Sequence, residues 1–117
     1  MPTEPDTATG LVLVVDDDPL NRRLLSRAIE QQGHRVVTAA DGAEALDQLG
    51  RAPVDLVVLD LVMPGLDGFA VLQAMDQHAE QRTIPVLVVS GVEETESIAR
   101  AIELGAVDVL PKPFDPL

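Results

Sequence analysis

Asp16, Asp17, Asp60, Ser90 and Lys112 are the residues of this chain whose types and positions could do chemistry together. Asp16-Asp17-Asp18 follow the aliphatic run LVLVV, Asp60 closes VDLVVLD, Ser90 closes IPVLVVS, and Lys112 stands just past AVDVL. Each therefore sits where an apolar run stops. Brought to one place, the carboxylates, the hydroxyl and the ammonium would make a hard-oxygen cation site beside a phosphate-sized gap. Oxygen ligands favour Mg²⁺, with Mn²⁺ the alternative, over zinc. There is no cysteine, and His34 and His78 fall where the opposite rim is expected. Asp16, Asp17 and Asp60 carry three negative charges, which a divalent ion and Lys112 would balance. Such a site can receive a phosphoryl group, its oxygens held by the ion, Lys112 and Ser90. Asp60 is then the candidate nucleophile, forming an acyl phosphate. Singly, these residues have plainer readings: Asp18 suits a helix N-cap, Asp60 a turn before Met63-Pro64-Gly65, and Ser90-Gly91 a strand exit.

The elements that must position them alternate along the chain. Residues 1–9 lack a hydrophobic period and read as a tail, leaving 10–117 as one domain. LVLVV (11–15) is apolar throughout, as a strand covered on both faces requires. Apolar residues at 20, 24, 25, 28 and 29 predict a helix over 19–32, begun by Asp18 and Pro19 and stopped by Gly33. Strands follow at 35–39, 54–60, 84–90 and 106–110. Helices are expected at 42–49 (closed by Gly50), 68–80 and 93–104 (stopped by Gly105). Alternation of this kind means βαβ units: an α/β fold with a doubly wound, five-stranded parallel sheet. In such a sheet ligands bind outside the carboxyl ends of the strands, where all five candidate residues lie. Asp115 and Pro116 read as a helix start, so a fragment of a longer chain, or a trimmed terminal helix, is expected.

The totals narrow the field. At 117 residues the chain is long enough for one core. Net charge −12, with a single lysine against seven arginines, speaks against nucleic-acid binding by this domain. No apolar run is long enough for a membrane span, and the absence of cysteine fits a cytoplasmic location.

VVDD (14–17), VLDLVMPGLDG (58–68), VVSG (88–91) and LPKPF (110–114) resemble, in order and spacing, the landmarks of the response-regulator receiver domain of two-component signalling, of the chemotaxis-regulator type. The resemblance implies a flavodoxin-like strand order 2-1-3-4-5. It also implies that Asp60 accepts a phosphoryl group from a histidine kinase or phosphotransfer protein. Asp16, Asp17, Asp60 and the main-chain carbonyl of Val62 would hold Mg²⁺, Ser90 would be the switch hydroxyl and Lys112 the phosphate-binding lysine. A domain of this kind is a signalling phosphoacceptor rather than an enzyme. Its state is read on the surface of the helix over 93–104, the fifth strand and the terminal helix, often by homodimerisation, to control an output domain.

The sequence departs from the family pattern in two places. Val109 stands where an aromatic switch residue is often found, and the only aromatics, Phe69 and Phe114, lie elsewhere. Val62 and Val92 occupy the positions that tune dephosphorylation, so slow loss of phosphate is expected. Partner choice is expected on exposed residues of the first helix such as Asn21, Arg22 and Leu25. Two alternatives belong beside this reading. A haloacid-dehalogenase-type phosphatase would use Asp16-x-Asp18, and a phosphorylation-independent docking module would use no phosphoryl chemistry.

Overall fold

The structure, a computed structural model, describes residues 10–61, 67–90 and 95–111, with the backbone alone at 90, 95–97 and 109–111. Strands β1 (Leu11–Val15), β2 (Arg35–Ala39), β3 (Leu56–Asp60), β4 (Val86–Ser90) and β5 (Asp108–Pro111) form one parallel sheet in the order β2-β1-β3-β4-β5. Helices α1 (Pro19–Gln31), α2 (Gly42–Arg51), α3 (Gly68–Asp76), the single turn α4 (Ala79–Arg82) and α5 (Thr95–Glu103) fill the crossovers. The α/β parallel architecture is the one the alternation predicts. The expected helix start at Asp115-Pro116 lies outside the described residues.

Among the described residues the two faces of the sheet are unequally covered. Leu13, Val15, Val57, Leu59 and Val88 point to one side and bury against Ala45 and Leu49 of α2, Val71, Leu72 and Met75 of α3, and Ala101 of α5. Val12, Val14, Val58 and Val89 point to the other, where Leu25 of α1 is the buried helix residue. This is the period of two that a pleated strand imposes on a run apolar at every position. Leu87 and Leu56 remain only partly buried and line, with Val12, Leu25, Ile29 and Val58, an apolar groove beside α1 of about 540 Å³.

Helix ends follow local chemistry, with two differences from the predicted bounds. Gly33 and Gly105 adopt φ of 95° and 117° just after α1 and α5, a region that only glycine enters cheaply. Gly50 does not: α2 runs through it to Arg51, whose guanidinium pairs with Asp47 at 3.0 Å. Pro53 then forces Ala52 into extended backbone and ends the helix. The helix predicted over 68–80 breaks after Asp76. Its last core-facing residue is Met75, and the His78 ring lies 2.9 Å from the Ala74 carbonyl, so the polar stretch beyond begins a separate turn.

Candidate functional site

Two strands deliver the three acidic residues to one rim. Val15 of β1 is in register with Leu59 of β3, so the next residues on the adjacent strands are Asp16 and Asp60. Continuing the alternation puts both side chains on the α1 side of the sheet. Asp16 is wholly buried and Asp60 is 2% exposed, whereas Asp17 turns outward and is exposed. One carboxylate oxygen from each of Asp16, Asp17 and Asp60 lies within 4.8 Å of the others. Two charged carboxylates removed from water at this spacing repel each other strongly. A divalent, oxygen-seeking cation relieves that repulsion, so the donor set fits Mg²⁺.

Asp18 has a different role. Its carboxylate accepts the Leu20 amide at 2.9 Å as the N-cap of α1, while its own amide donates to Asp16 Oδ1 at 2.9 Å. The phosphatase alternative needs Asp18 in the acidic cluster, and the cap removes it. His34 and His78 are likewise elsewhere. His34 Nδ1 accepts the Gly10 amide at 3.1 Å at the amino end of β1, and His78 precedes α4.

The other predicted site residues are placed only in part. The Ser90 backbone ends β4, one position past the Val89 that pairs with Asp60, and it pairs with Pro111 at the end of β5. Lys112 follows Pro111 in sequence and, with Val62 and Val92, lies outside the described residues. Val109 is a β5 residue paired with Val88, described by backbone alone. An aromatic contact with α5 comes instead from Phe69, whose ring centroid lies 4.3 Å from the Arg100 guanidinium carbon.

Two residues that shape this site were not assigned to it by sequence. Gly68 opens α3 after its cap Asp67 and donates to the Leu61 carbonyl at 3.2 Å. A Cβ there would stand 2.6 Å from the Asp60 carbonyl oxygen and 2.7 Å from Leu61 Cα. Only glycine lets α3 begin against the exit of β3. Arg22 is the second. It was expected to face partners with Leu25, but Leu25 is buried and the Arg22 guanidinium donates to the Asp16 carbonyl at 2.7 Å. No pattern in one sequence reports either contact, because both join segments that the fold alone brings together.

Residues 12–117 match the family described as the response regulator receiver domain. The chain is 38% identical over 105 residues to "Probable transcriptional regulator ycf27" of Porphyridium aerugineum, covering 90% of this chain and 42% of that protein. It is also 38% identical over 106 residues to the "DNA-binding transcriptional regulator NtrC" of Escherichia coli K12, covering 91% of this chain and 22% of NtrC. The chain thus spans less than half the length of these curated relatives. Among solved structures, the chemotaxis protein CheY4 of Vibrio cholerae superposes with a TM-score of 0.86 at 33% identity, over 93% of this chain and 91% of that one.

Proposed function

The chain belongs to the response regulator receiver family, and from that premise we propose that Asp60 is its phosphoacceptor. The observation that carries the proposal is the convergence of Asp16, Asp17 and Asp60 at the carboxyl rim of the sheet. An Asp60 carboxylate oxygen attacks phosphorus as the bond to the donor breaks, and the donor, an imidazole of a histidine kinase or phosphotransfer protein, leaves with the electron pair. Asp16, Asp17, Asp60 and the Val62 carbonyl would hold Mg²⁺, which when bound neutralises the carboxylates and stabilises charge on the phosphoryl oxygens. Ser90, whose backbone ends β4, and Lys112, next in sequence after β5, are assigned to the phosphoryl oxygens. Phosphorylation then biases a two-state equilibrium read on the face of α5 and β5. Ile102 of α5 and Val107, just before β5, are exposed and suit a homodimer or an output domain. The described residues include no helix long and apolar enough to cross a membrane.

Intact-mass analysis after treatment with acetyl phosphate and Mg²⁺, with the adduct mapped by peptide, tests the assignment. One phosphoryl group on Asp60 is expected; an adduct on Asp16 would favour the phosphatase alternative.

Mg²⁺ binding to the folded chain should also stabilise it by mass action. At a hundred times the dissociation constant the gain is about 2.7 kcal/mol, read as a rise in Tm over the metal-free protein. A Tm indifferent to saturating Mg²⁺ would count against the metal assignment.

Val62 and Val92 are assigned to slow dephosphorylation, since branched apolar side chains cannot orient an attacking water. Phosphate loss, followed by mass over time, should be faster in Val62→Asn than in the wild type. Equal rates would remove Val62 from this role.

A further inference from the structure

We propose that Arg22 is a positioning residue for the metal site, holding the Asp16–Asp17 peptide so that both carboxylates meet Asp60. The inference rests on the metal assignment above and extends it to a residue outside the acidic cluster.

The carboxyl end of β1 is a place where the chain needs outside support. The strand is held through Val15, and the Asp16 amide still donates to the Ala39 carbonyl of β2 at 3.1 Å. Beyond that point the backbone leaves the strand and turns to enter α1. The Asp16 carbonyl belongs to the peptide linking the two acidic residues, so its orientation sets where both side chains leave the backbone. At least two contacts hold this turn. Asp16 Oδ1 accepts the Asp18 amide, and the Asp16 carbonyl accepts the Arg22 guanidinium at 2.7 Å. Arg22 is itself fixed, its amide bonded to the Asp18 carbonyl at 2.9 Å in the first turn of α1. The guanidinium therefore reaches back from a capped helix to the peptide between two metal ligands. A charge-assisted bond of this length is among the stronger kinds. Groups that orient metal ligands from behind typically change affinity by about 10–100-fold when removed.

A bulk charge effect predicts the opposite sign. If Arg22 acted only as a cation near the acidic cluster, it would compete with the metal, and its removal would tighten Mg²⁺ binding. If it positions the peptide, its removal weakens binding. The direction of change therefore separates the two.

The test measures Mg²⁺ affinity by titration calorimetry in the wild type, Arg22→Ala and Arg22→Lys. Amide hydrogen exchange of Asp17 and Asp18 is measured in each metal-free protein. Arg22→Ala should bind Mg²⁺ about tenfold or more weakly, with faster exchange at Asp17 and Asp18 and unchanged exchange in the β3 core. Arg22→Lys, which keeps a donor on a stem of similar length, should recover part of both. Raising Mg²⁺ should restore phosphorylation of Arg22→Ala by acetyl phosphate, since the defect lies in occupancy. Unchanged or tighter binding in Arg22→Ala would overturn the proposal, as would unchanged exchange at Asp17 and Asp18. A wild type that binds no Mg²⁺ would defeat the metal assignment and this extension of it together, whereas a wild type that binds while Arg22→Ala binds equally well would defeat the extension alone.

Discussion

Asp60→Asn should give no phosphoryl adduct with acetyl phosphate and Mg²⁺, a fall in labelling of at least about a thousandfold, as removal of a covalent nucleophile produces. The substitution is nearly isosteric and the position is 2% exposed, so the amide fits where the carboxylate sat. Its effect is therefore chemical rather than steric. The amide oxygen is a poor nucleophile and the side chain brings no negative charge to the cluster. The Mg²⁺-dependent rise in Tm should shrink in the same variant, because one of three converging carboxylates is gone. Persistence of a single stoichiometric adduct in Asp60→Asn would move the acceptor to another residue and overturn the site assignment.

Gly68→Ala should both destabilise the domain and disable the site. The added methyl would meet two backbone atoms of the β3 exit, at 2.6 and 2.7 Å, and backbone cannot swing aside as a flexible side chain can. Either α3 retreats from β3 or the Asp60–Leu61 peptide moves. Retreat of α3 loosens Val71, Leu72 and Met75, which are buried in the larger core. Overpacking of this kind costs about 1–3 kcal/mol, and each kcal/mol lowers Tm by roughly 4–8 °C in a domain near this size. Displacement of Asp60 has its own cost, since a shift of about 1 Å in a reacting group can slow a reaction by about a hundredfold. Thermal denaturation and the initial rate of adduct formation measure the two effects separately. A Gly68→Ala protein with wild-type Tm and rate would show that the close approach is not maintained in solution.

The residues differ in how far their roles could be read in advance. LVLVV (11–15), LVVL (56–59) and VLVV (86–89) announce buried parallel strands because every position is apolar, and their ends announce where a ligand would sit. The division of Asp16-Asp17-Asp18 into two cluster members and a cap was also legible, since Pro19 marks the helix start. Bounds that depend on competition were not. Gly50 reads as a stop, yet an exposed ion pair and the position of Pro53 let α2 pass it. The stretch 76–80 has helical residues but no apolar partner to hold them, so α3 ends early. Arg22 and Leu25 looked like neighbours on an outward face. In the fold one turns to the Asp16 carbonyl and the other to Val12, Val14 and Val58, because the rotation of α1 is set by the sheet beneath it. Gly68 has a role only after β3 and α3 are in contact, which local sequence cannot express.

The register of β1 on β3 has a kinetic consequence. Val12 pairs with Leu56 and Val15 with Leu59, partners 44 positions apart, so a long loop must close before β1 gains its second neighbour. Apolar pairs lie along the body of this ladder and the acidic pair lies at its end. Docking of the two strands can therefore proceed on aliphatic contacts alone, with Asp16 and Asp60 forced together last. A cation that needs both carboxylates acts after the rate-limiting encounter, on the native side of the barrier. Saturating Mg²⁺ should then lower the unfolding limb of the chevron and leave the refolding limb nearly unmoved. The metal would act as a lock on a finished fold rather than a guide to it, and occupancy would set how long the native state lasts.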